Sequence, residues 1–476
     1  MTSLSRSLVS GWARLGPRFL PFADAASPDL PLSRLARLAL FQVSVGMALV
    51  LLVGTLNRVM IVELHVPAAM VALMVSLPVL YAPLRALVGF RSDNHRSALG
   101  WRRVPFIWMG TLMQFGGFAV MPFALLVLSG GGESGDWPAW IGQLGAGLTF
   151  LMVGAGLHTT QTAGLALATD LAPEETHPRV VGFMFVMLLI GTIVSALVFG
   201  AALRDFTPGR LVQVLQTAAL VTIVLNTVAL WKQESRRPNR RAPQDAVQFS
   251  QAWRRYIEGA GTRRRLVAIA LGTMAFSMQD VLLEPYGGQV LGMGVGATTW
   301  LTAALAAGGL AGFSLASAVL GRGYDPARMA RIGAAIGVPA FAAVLIAAAS
   351  QSVALFGSAV FVIGFGAGLF SHGTLTLTMN RAPVDQAGLA LGAWGAVQAT
   401  AAGAAVALGG IGRDVVDTLA RNQAFGASLD HPTTGYAAVY GLEMVLLALT
   451  VAVMGALVSE PSRSTSTLNP PSGSDS

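Results

Sequence analysis

Two short basic hairpins, each set between membrane-length apolar runs, constrain this chain most. The first is Gly89–Arg103, GFRSDNHRSALGWRR, and a weaker echo is Gly321–Arg331, GRGYDPARMAR. In each, Asp follows the Gly by four residues and Arg by seven: Gly89, Asp93, Arg96 and Gly321, Asp325, Arg328. The copies lie 232 residues apart in a chain of 476. A spaced repeat flanked by apolar runs implies a duplicated membrane protein.

Composition agrees. The chain is 54% hydrophobic and 11% charged, with mean hydropathy +0.63, where a soluble domain carries about 25% charged residues. Apolar stretches long enough to span a bilayer as helices recur throughout. There is no Cys, which excludes a disulfide framework, a thiolate metal site and a thiol nucleophile. The pI near 10.6 does not point to nucleic acid, because the positive charge sits in short inter-helix loops.

We read twelve spans, approximately 38–57, 67–90, 104–129, 139–169, 180–203, 210–231, 266–287, 297–320, 329–349, 352–379, 387–409 and 435–458. With both termini on one side, that side carries 25 basic residues and the other 5. The asymmetry predicts cytoplasmic termini. No cleavable signal is visible, since residues 1–37 carry five Arg and no apolar core. Leu4, Leu8, Trp12, Leu15 and Phe19 fall at helical spacing, which fits a helix lying on the membrane or a loose tail. Residues 38–231 and 266–458 form the two six-helix halves, and 232–265 the linker between them. Phe249, Trp253 and Ile257 in that linker suggest a short surface helix. The loop 410–434 is expected to cap the extracytoplasmic side, and the polar tail 459–476 to be disordered.

The repeat goes beyond the hairpins. GAGL recurs at 154–157 and 366–369, Ala172-Pro173 matches Ala382-Pro383, and Asn57-Arg58-Val59 matches Gln279-Asp280-Val281. The expected fold is all-α, integral to the membrane, with twelve transmembrane helices in two parallel six-helix pseudo-repeats of the major facilitator type. In such folds ligands bind between the halves.

Here the residues carry a resemblance. FLPFADAA (19–26), LFQVSVGMALVLLVGTLNRVMIVEL (40–64), PLRALVGFRSD (83–93), HRSALGWRRVPFIWMGTLMQFGG (95–117) and GLHTTQTAGLALATDLAPEE (156–175) resemble the PucC/LhaA family. The likeness is weaker after the linker, where GTMAFSMQDVLLEPYGG (272–288) carries most of it. Membership implies a bacterial inner-membrane protein that helps assemble light-harvesting complexes and delivers or holds bacteriochlorophyll. The implied partners are antenna polypeptides, reaction-centre assembly intermediates, pigment-synthesis enzymes or insertion machinery, and the lipid bilayer. PucC-type members serve the peripheral antenna and LhaA-type members the core antenna; overall similarity leans to LhaA.

The superfamily resemblance makes Asp93 a partner for a neighbouring helix N-terminus, near Gln386–Gly388. Arg96, Arg102 and Arg103, with Asp325 and Arg328 in the second copy, then brace a gate; plain topological charge is the alternative. His158 and His372 are the histidines inside spans, with Gly154 and Gly368 one turn away. Each pair suits bacteriochlorophyll, whose magnesium takes an imidazole ligand and whose flat macrocycle needs small neighbours. The alternative is a histidine hydrogen-bonded in a helix interface. Gln161 is a secondary polar candidate. Arg58, Asp280 and Glu284 are intramembrane charges. The last two share a helix face by spacing, and a salt bridge from Arg58 to Asp280 is expected. Arg85 is expected to snorkel to the interface, and Glu443 is a lone acid. No phosphate loop, GxSxG elbow or HExxH occurs, so no enzyme activity is expected. Pigment delivery, proton-coupled transport through Asp280 or Glu284, and a ligand-free scaffold are the three readings.

Overall fold

The computed structural model describes residues 22, 25–27, 30–81, 85, 88, 91, 92, 100–173, 176–234, 254, 257–259, 261–381, 387–424, 426, 431 and 433–458. Every regular element among them is helical. In chain order these are α1 (Leu32–Glu63), α2 (Ala68–Leu80), α3 (Val104–Leu128), α4 (Ala139–Asp170), α5 (His177–Ala202) and α6 (Pro208–Leu230). After the linker come α7 (Thr262–Ser277), α8 (Leu283–Leu291), α9 (Val295–Leu320), α10 (Pro326–Ala349), α11 (Val353–Arg381), α12 (Ala387–Arg421) and α13 (Thr434–Val458). Ten described helices are long and apolar enough to cross a membrane, and the bent pair α7–α8 makes eleven. The shorter apolar α2 occupies the second expected span.

Helix starts follow local chemistry. Asp325 caps α10, its Oδ1 accepting from the Ala327 N–H at 2.9 Å, with Pro326 at the first position. Thr207 caps α6 by accepting from the Arg210 N–H at 3.2 Å, again ahead of a proline. Glycine sets how close the spans come. A Cβ on Gly110 would meet the Gly156 carbonyl and one on Gly156 the Gly110 carbonyl, so α3 and α4 touch backbone to backbone. Gly364 and Gly368 face α9 and Gly366 faces α10 in the same manner. Lipid tails give no hydrophobic drive between helices, so this close contact supplies the packing. The second half adds an aromatic core, with Tyr286 edge-on to Tyr436 and Tyr440 at centroid distances of 5.2 and 5.3 Å.

We name the two ends by charge. The basic face carries the two hairpins and the linker; the distal face is opposite. Among the described residues, polar contacts between the halves gather toward the distal face. The Asp414 carboxylate accepts from the Ala69 N–H at 2.7 Å, joining α12 to α2. Trp300 Nε1 donates to the Leu197 carbonyl at 3.3 Å, joining α9 to α5. Nearer the basic face, Phe22 bridges, its ring against Gly182 of α5, Phe313 of α9 and His372 of α11.

Two expectations about spans are corrected. The seventh span is not one helix: a 3₁₀ turn, Met278–Val281, separates α7 from α8, which bend by 45°. Asp280 and Glu284 therefore stand on opposite sides of a break. The eleventh span does not stop near 409, because α12 runs to Arg421. Its charged distal turns neutralise themselves, Arg413 with Asp414 and Arg421 with Asp417. The cap expected over 410–434 is correspondingly shorter. Leu4–Phe19, Phe249, Trp253 and the tail 459–476 lie outside the described residues.

Candidate functional site

The sequence HTTQT at 158–162 makes α4 the hub of the first half. Helical rotation sends consecutive side chains to different neighbours. Thr159 shares a 3.0 Å hydrogen bond with Tyr81 near the end of α2. Thr160 accepts from Gln114 of α3 at 3.1 Å. Gln161 Nε2 donates to Gln42 of α1 at 3.4 Å. Arg85 Nη2 donates to Gln161 Oε1 at 3.2 Å, and Arg85 Nε to Thr162 at 3.1 Å. Arg85 thus turns inward to α4 and does not snorkel, because two side-chain acceptors one helix away meet its guanidinium. His158 is half-buried within electrostatic reach of Arg85, and its Nδ1 is buried with no hydrogen-bond partner. A second polar tie, Ser44 to Asn226 and Asn226 to Thr111, each 2.8 Å, joins α1, α6 and α3.

His372 is placed differently. It is buried, its ring 4.3 Å from Phe313 and 6.1 Å from Phe22, with Nδ1 also unpartnered. The glycines expected to make room for a macrocycle do not. A Cβ at Gly154 would run into Pro78 of α2, and one at Gly368 would meet the backbone at Gly309 and Phe313 of α9. Both serve close helix contact. The imidazoles retain a free nitrogen suited to an axial metal ligand; the expected glycine cradles are filled.

The second constellation lies toward the distal face, where α1 meets the 3₁₀ turn of the seventh span, α8 and α9, with α13 packed against the same turn. Two π-helical stretches, Val50–Thr55 and Val59–Glu63, flank Leu56–Arg58. The expected bridge from Arg58 to Asp280 does not form. Arg58 pairs with Glu63 of its own helix and donates to the Met293 carbonyl at 3.1 Å. The π turn brings the fifth residue onward onto the arginine's side, and so supplies a local carboxylate. Asn57 also reaches the second half, its Nδ2 donating to the Val281 carbonyl at 2.9 Å and the Asp280 carbonyl at 3.4 Å. It satisfies carbonyls freed by the break in the seventh span. Asp280 accepts from Gln279 at 2.7 Å, and Glu284 from Thr302 at 2.5 Å.

Glu443 of α13 is fully buried and electrostatically coupled to Asp280. It faces the Gln279 backbone amide, yet neither carboxylate oxygen makes a well-formed hydrogen bond. Glu284 Oε2, Gln279 Oε1, Asn57 Oδ1 and Tyr440 Oη are buried and unpartnered as well. Unpartnered carboxylate and amide oxygens thus accumulate here; around α4 the unpartnered atoms are the Gln42 amide nitrogen, the Gln114 amide oxygen and His158 Nδ1. Among the described residues no group of three His, Cys, Asp or Glu is arranged to hold a metal ion.

At the basic face, Arg102 pairs with Asp170 at the end of α4, and Arg103 Nε lies 3.1 Å from the same carboxylate. Arg103 also donates to Ser92 at 2.6 Å. Glu234, just past α6, was missed by sequence reasoning. Its carboxylate accepts from the N–H groups of Arg102, Arg103 and Val104 at 2.8, 3.0 and 3.0 Å and so caps α3. In the second copy Asp325 caps its own helix and lies 3.6 Å from Arg328, so it does not reach a neighbouring helix start. Gly89, Asp93, Arg96 and the acceptor expected at 386–388 lie outside the described side chains.

A helical bundle with α1 buried between its halves, α3 and α4 sealed at the basic face, and polar clusters at two depths is a multi-pass membrane protein of the transporter-like, major facilitator type. A bacterial homologue of the human lysosomal transporter Spinster, solved in an inward-facing and unoccupied conformation, superposes with a TM-score of 0.65 at 14% identity, covering 90% of this chain and 98% of that one. The chain belongs to the PucC family, whose model, described as PUCC protein, matches residues 55–461. It is 62% identical over 420 residues to Protein PucC of Rhodovulum sulfidophilum, covering 87% of this chain and 92% of that protein. Protein PucC of Cereibacter sphaeroides is 56% identical over 458 residues, covering 95% and 97%. The lean toward the LhaA type rests on the sequence resemblance alone.

Proposed function

We propose that the protein is a non-enzymatic assembly factor for a bacteriochlorophyll light-harvesting complex of the bacterial inner membrane, with both termini in the cytoplasm. It holds pigment transiently and hands it to nascent antenna polypeptides, working beside reaction-centre assembly intermediates and pigment-synthesis or insertion machinery. The observation that carries this reading is His158. In the α4 hub the four polar side chains that follow it are each engaged by another helix, while the His158 Nδ1 is left without a partner. An unpaired buried ring nitrogen is costly unless a ligand uses the imidazole. Bound bacteriochlorophyll would supply a magnesium that takes that ligand. Gln161 and Arg85 fix the polar surroundings, and His372 offers a second, more enclosed nitrogen from the other half.

Affinity purification from photosynthetically grown cells tests this. The expected preparation absorbs in the near infrared and contains antenna polypeptides, and His158→Ala loses the pigment while keeping the polypeptides. Colourless wild-type protein that still brings down antenna polypeptides would replace pigment handling with a scaffold role.

The break in the seventh span favours one other reading, secondary transport of an amphiphilic solute with Asp280 or Glu284 as coupling residue. Buried carboxylates beside a helix break, with one Glu284 oxygen and both Glu443 oxygens lacking a donor, suit a site that takes up and releases a positive charge. Gradient-driven uptake into vesicles, abolished by Asp280→Asn, would support it.

A further inference from the structure

Arg85 is an arginine inside the helix bundle that meets only neutral partners among the described residues. Among the described residues no carboxylate pairs with it. Its Nε and Nη2 donate only to the neutral Thr162 and Gln161. The other intramembrane arginine, Arg58, is paired with Glu63. Leaving one cation uncompensated at this depth is expensive, and such residues mark binding sites or ion paths. Two further unsatisfied groups lie beside it. Gln42 Nε2 is fully buried and has no acceptor, although the same amide's oxygen bonds Gln161. His158 Nδ1 has no partner either. Arg85, His158, Gln161 and Gln42 therefore form one cluster, contributed by three elements, with donor capacity in excess.

The shape of the donor set narrows the ligand. One edge of the guanidinium is held by Thr162 and Gln161, which leaves Nη1 and the second hydrogen of Nη2 as an unengaged fork. That fork matches the two oxygens of a carboxylate. A freely hydrated small anion would lose its water shell to reach this depth. An anion attached to an apolar body would not carry that whole penalty, because the body partitions into the bundle. Glu63, Asp280, Glu284 and Glu443 gather in the distal cluster, so they do not compete for the fork.

We propose that Arg85, His158 and Gln42 form a binding site for the carboxylate of an amphiphile, so that the cargo is recognised through a free acid group. This goes beyond pigment ligation, because it rests on Arg85 and requires no metal. A colourless preparation that still prefers the acid would leave it standing.

The test is paired binding in detergent, using 11-(dansylamino)undecanoic acid and its methyl ester as probes and dansyl fluorescence as readout. The acid is expected to bind at least about tenfold more tightly than the ester, the scale of one charge-assisted hydrogen bond. Arg85→Gln should erase that gap, Arg85→Lys should keep part of it, and exposed Arg91→Gln should keep all of it. If Arg85→Gln is not monodisperse, Gln42→Leu replaces it and should narrow the gap. Equal binding of acid and ester, or a gap that survives Arg85→Gln and Gln42→Leu, overturns the proposal. So does Arg85-dependent displacement of the acid by an equal concentration of phosphatidylglycerol, which would assign the site to a lipid headgroup.

Discussion

Glu234 and Glu63 each do work that the sequence pattern assigned to another acid. Glu234 caps α3, the role foreseen for Asp93 at a different helix. Its removal leaves the first N–H groups of α3 without an acceptor, a loss of about 1 kcal/mol. Glu234→Ala should therefore lower the thermal midpoint by a few degrees in a fluorescence-detected melt, while Glu234→Gln recovers part of the loss. Arg58 gives a sharper test, because its partner changed. Exchanging the charges as Arg58→Glu with Glu63→Arg should restore folded protein lost in either single variant, as double-mutant coupling requires for a contacting pair. The exchange Arg58→Asp with Asp280→Arg should restore none. The reason the true partner was not legible is geometric. Periodicity arguments assume 3.6 residues per turn, and Arg58 and Glu63 are five apart, a spacing that only a π turn aligns. Arg85 was misread for a related reason. Its distance from the helix end is visible in sequence, but the acceptors Gln161 and Thr162 that draw it inward lie on another helix.

At the scale of elements, apolar length located the spans, and glycine sets how closely they pack. Which neighbour each glycine meets needed the structure. On α11 the contrast is clean. A Cβ at Gly364 would fall on the Leu305 carbonyl of α9, whereas one at Gly357 meets nothing within 4 Å. Gly364→Ala forces backbone apart and should cost about 1–3 kcal/mol, seen as reduced yield and an earlier melt. Gly357→Ala should be neutral or stabilising, since replacing a helical glycine gains up to about 1 kcal/mol. If the two variants melt alike, the packing seam between α9 and α11 is not as described. The break between α7 and α8 was hidden, because 266–287 reads as one span by its length despite Asp280, Glu284 and Pro285 within it. Only the Asn57 contact from α1 reveals why that backbone can open without leaving its carbonyls bare.

For the whole molecule, the question is where the two halves hold together. The duplicated pattern predicted two halves but not which end joins them, because the joining residues come from segments distant in sequence and differ between the repeats. On the distal face Asp414 accepts from Ala69 N–H at the start of α2, and is itself paired with Arg413. Arg413 Nη2 reaches Gln289 at 3.0 Å, which in turn accepts from Tyr436 at 2.6 Å. One carboxylate thus ties α12 of the second half to α2 of the first, and through Arg413 to α8 and α13. Removing it frees a helix N-terminus that has no other side-chain cap among the described residues. Asp414→Ala should therefore raise hydrogen–deuterium exchange at Ala68–Val71 and along the distal turns of α12. Asp170→Asn, which removes the charge facing Arg102 and Arg103 at the basic face, should leave those distal amides unchanged and raise exchange where α3 begins. Were both variants to loosen both ends together, the halves would be moving as one body, and the distal contacts would not be an independent closure.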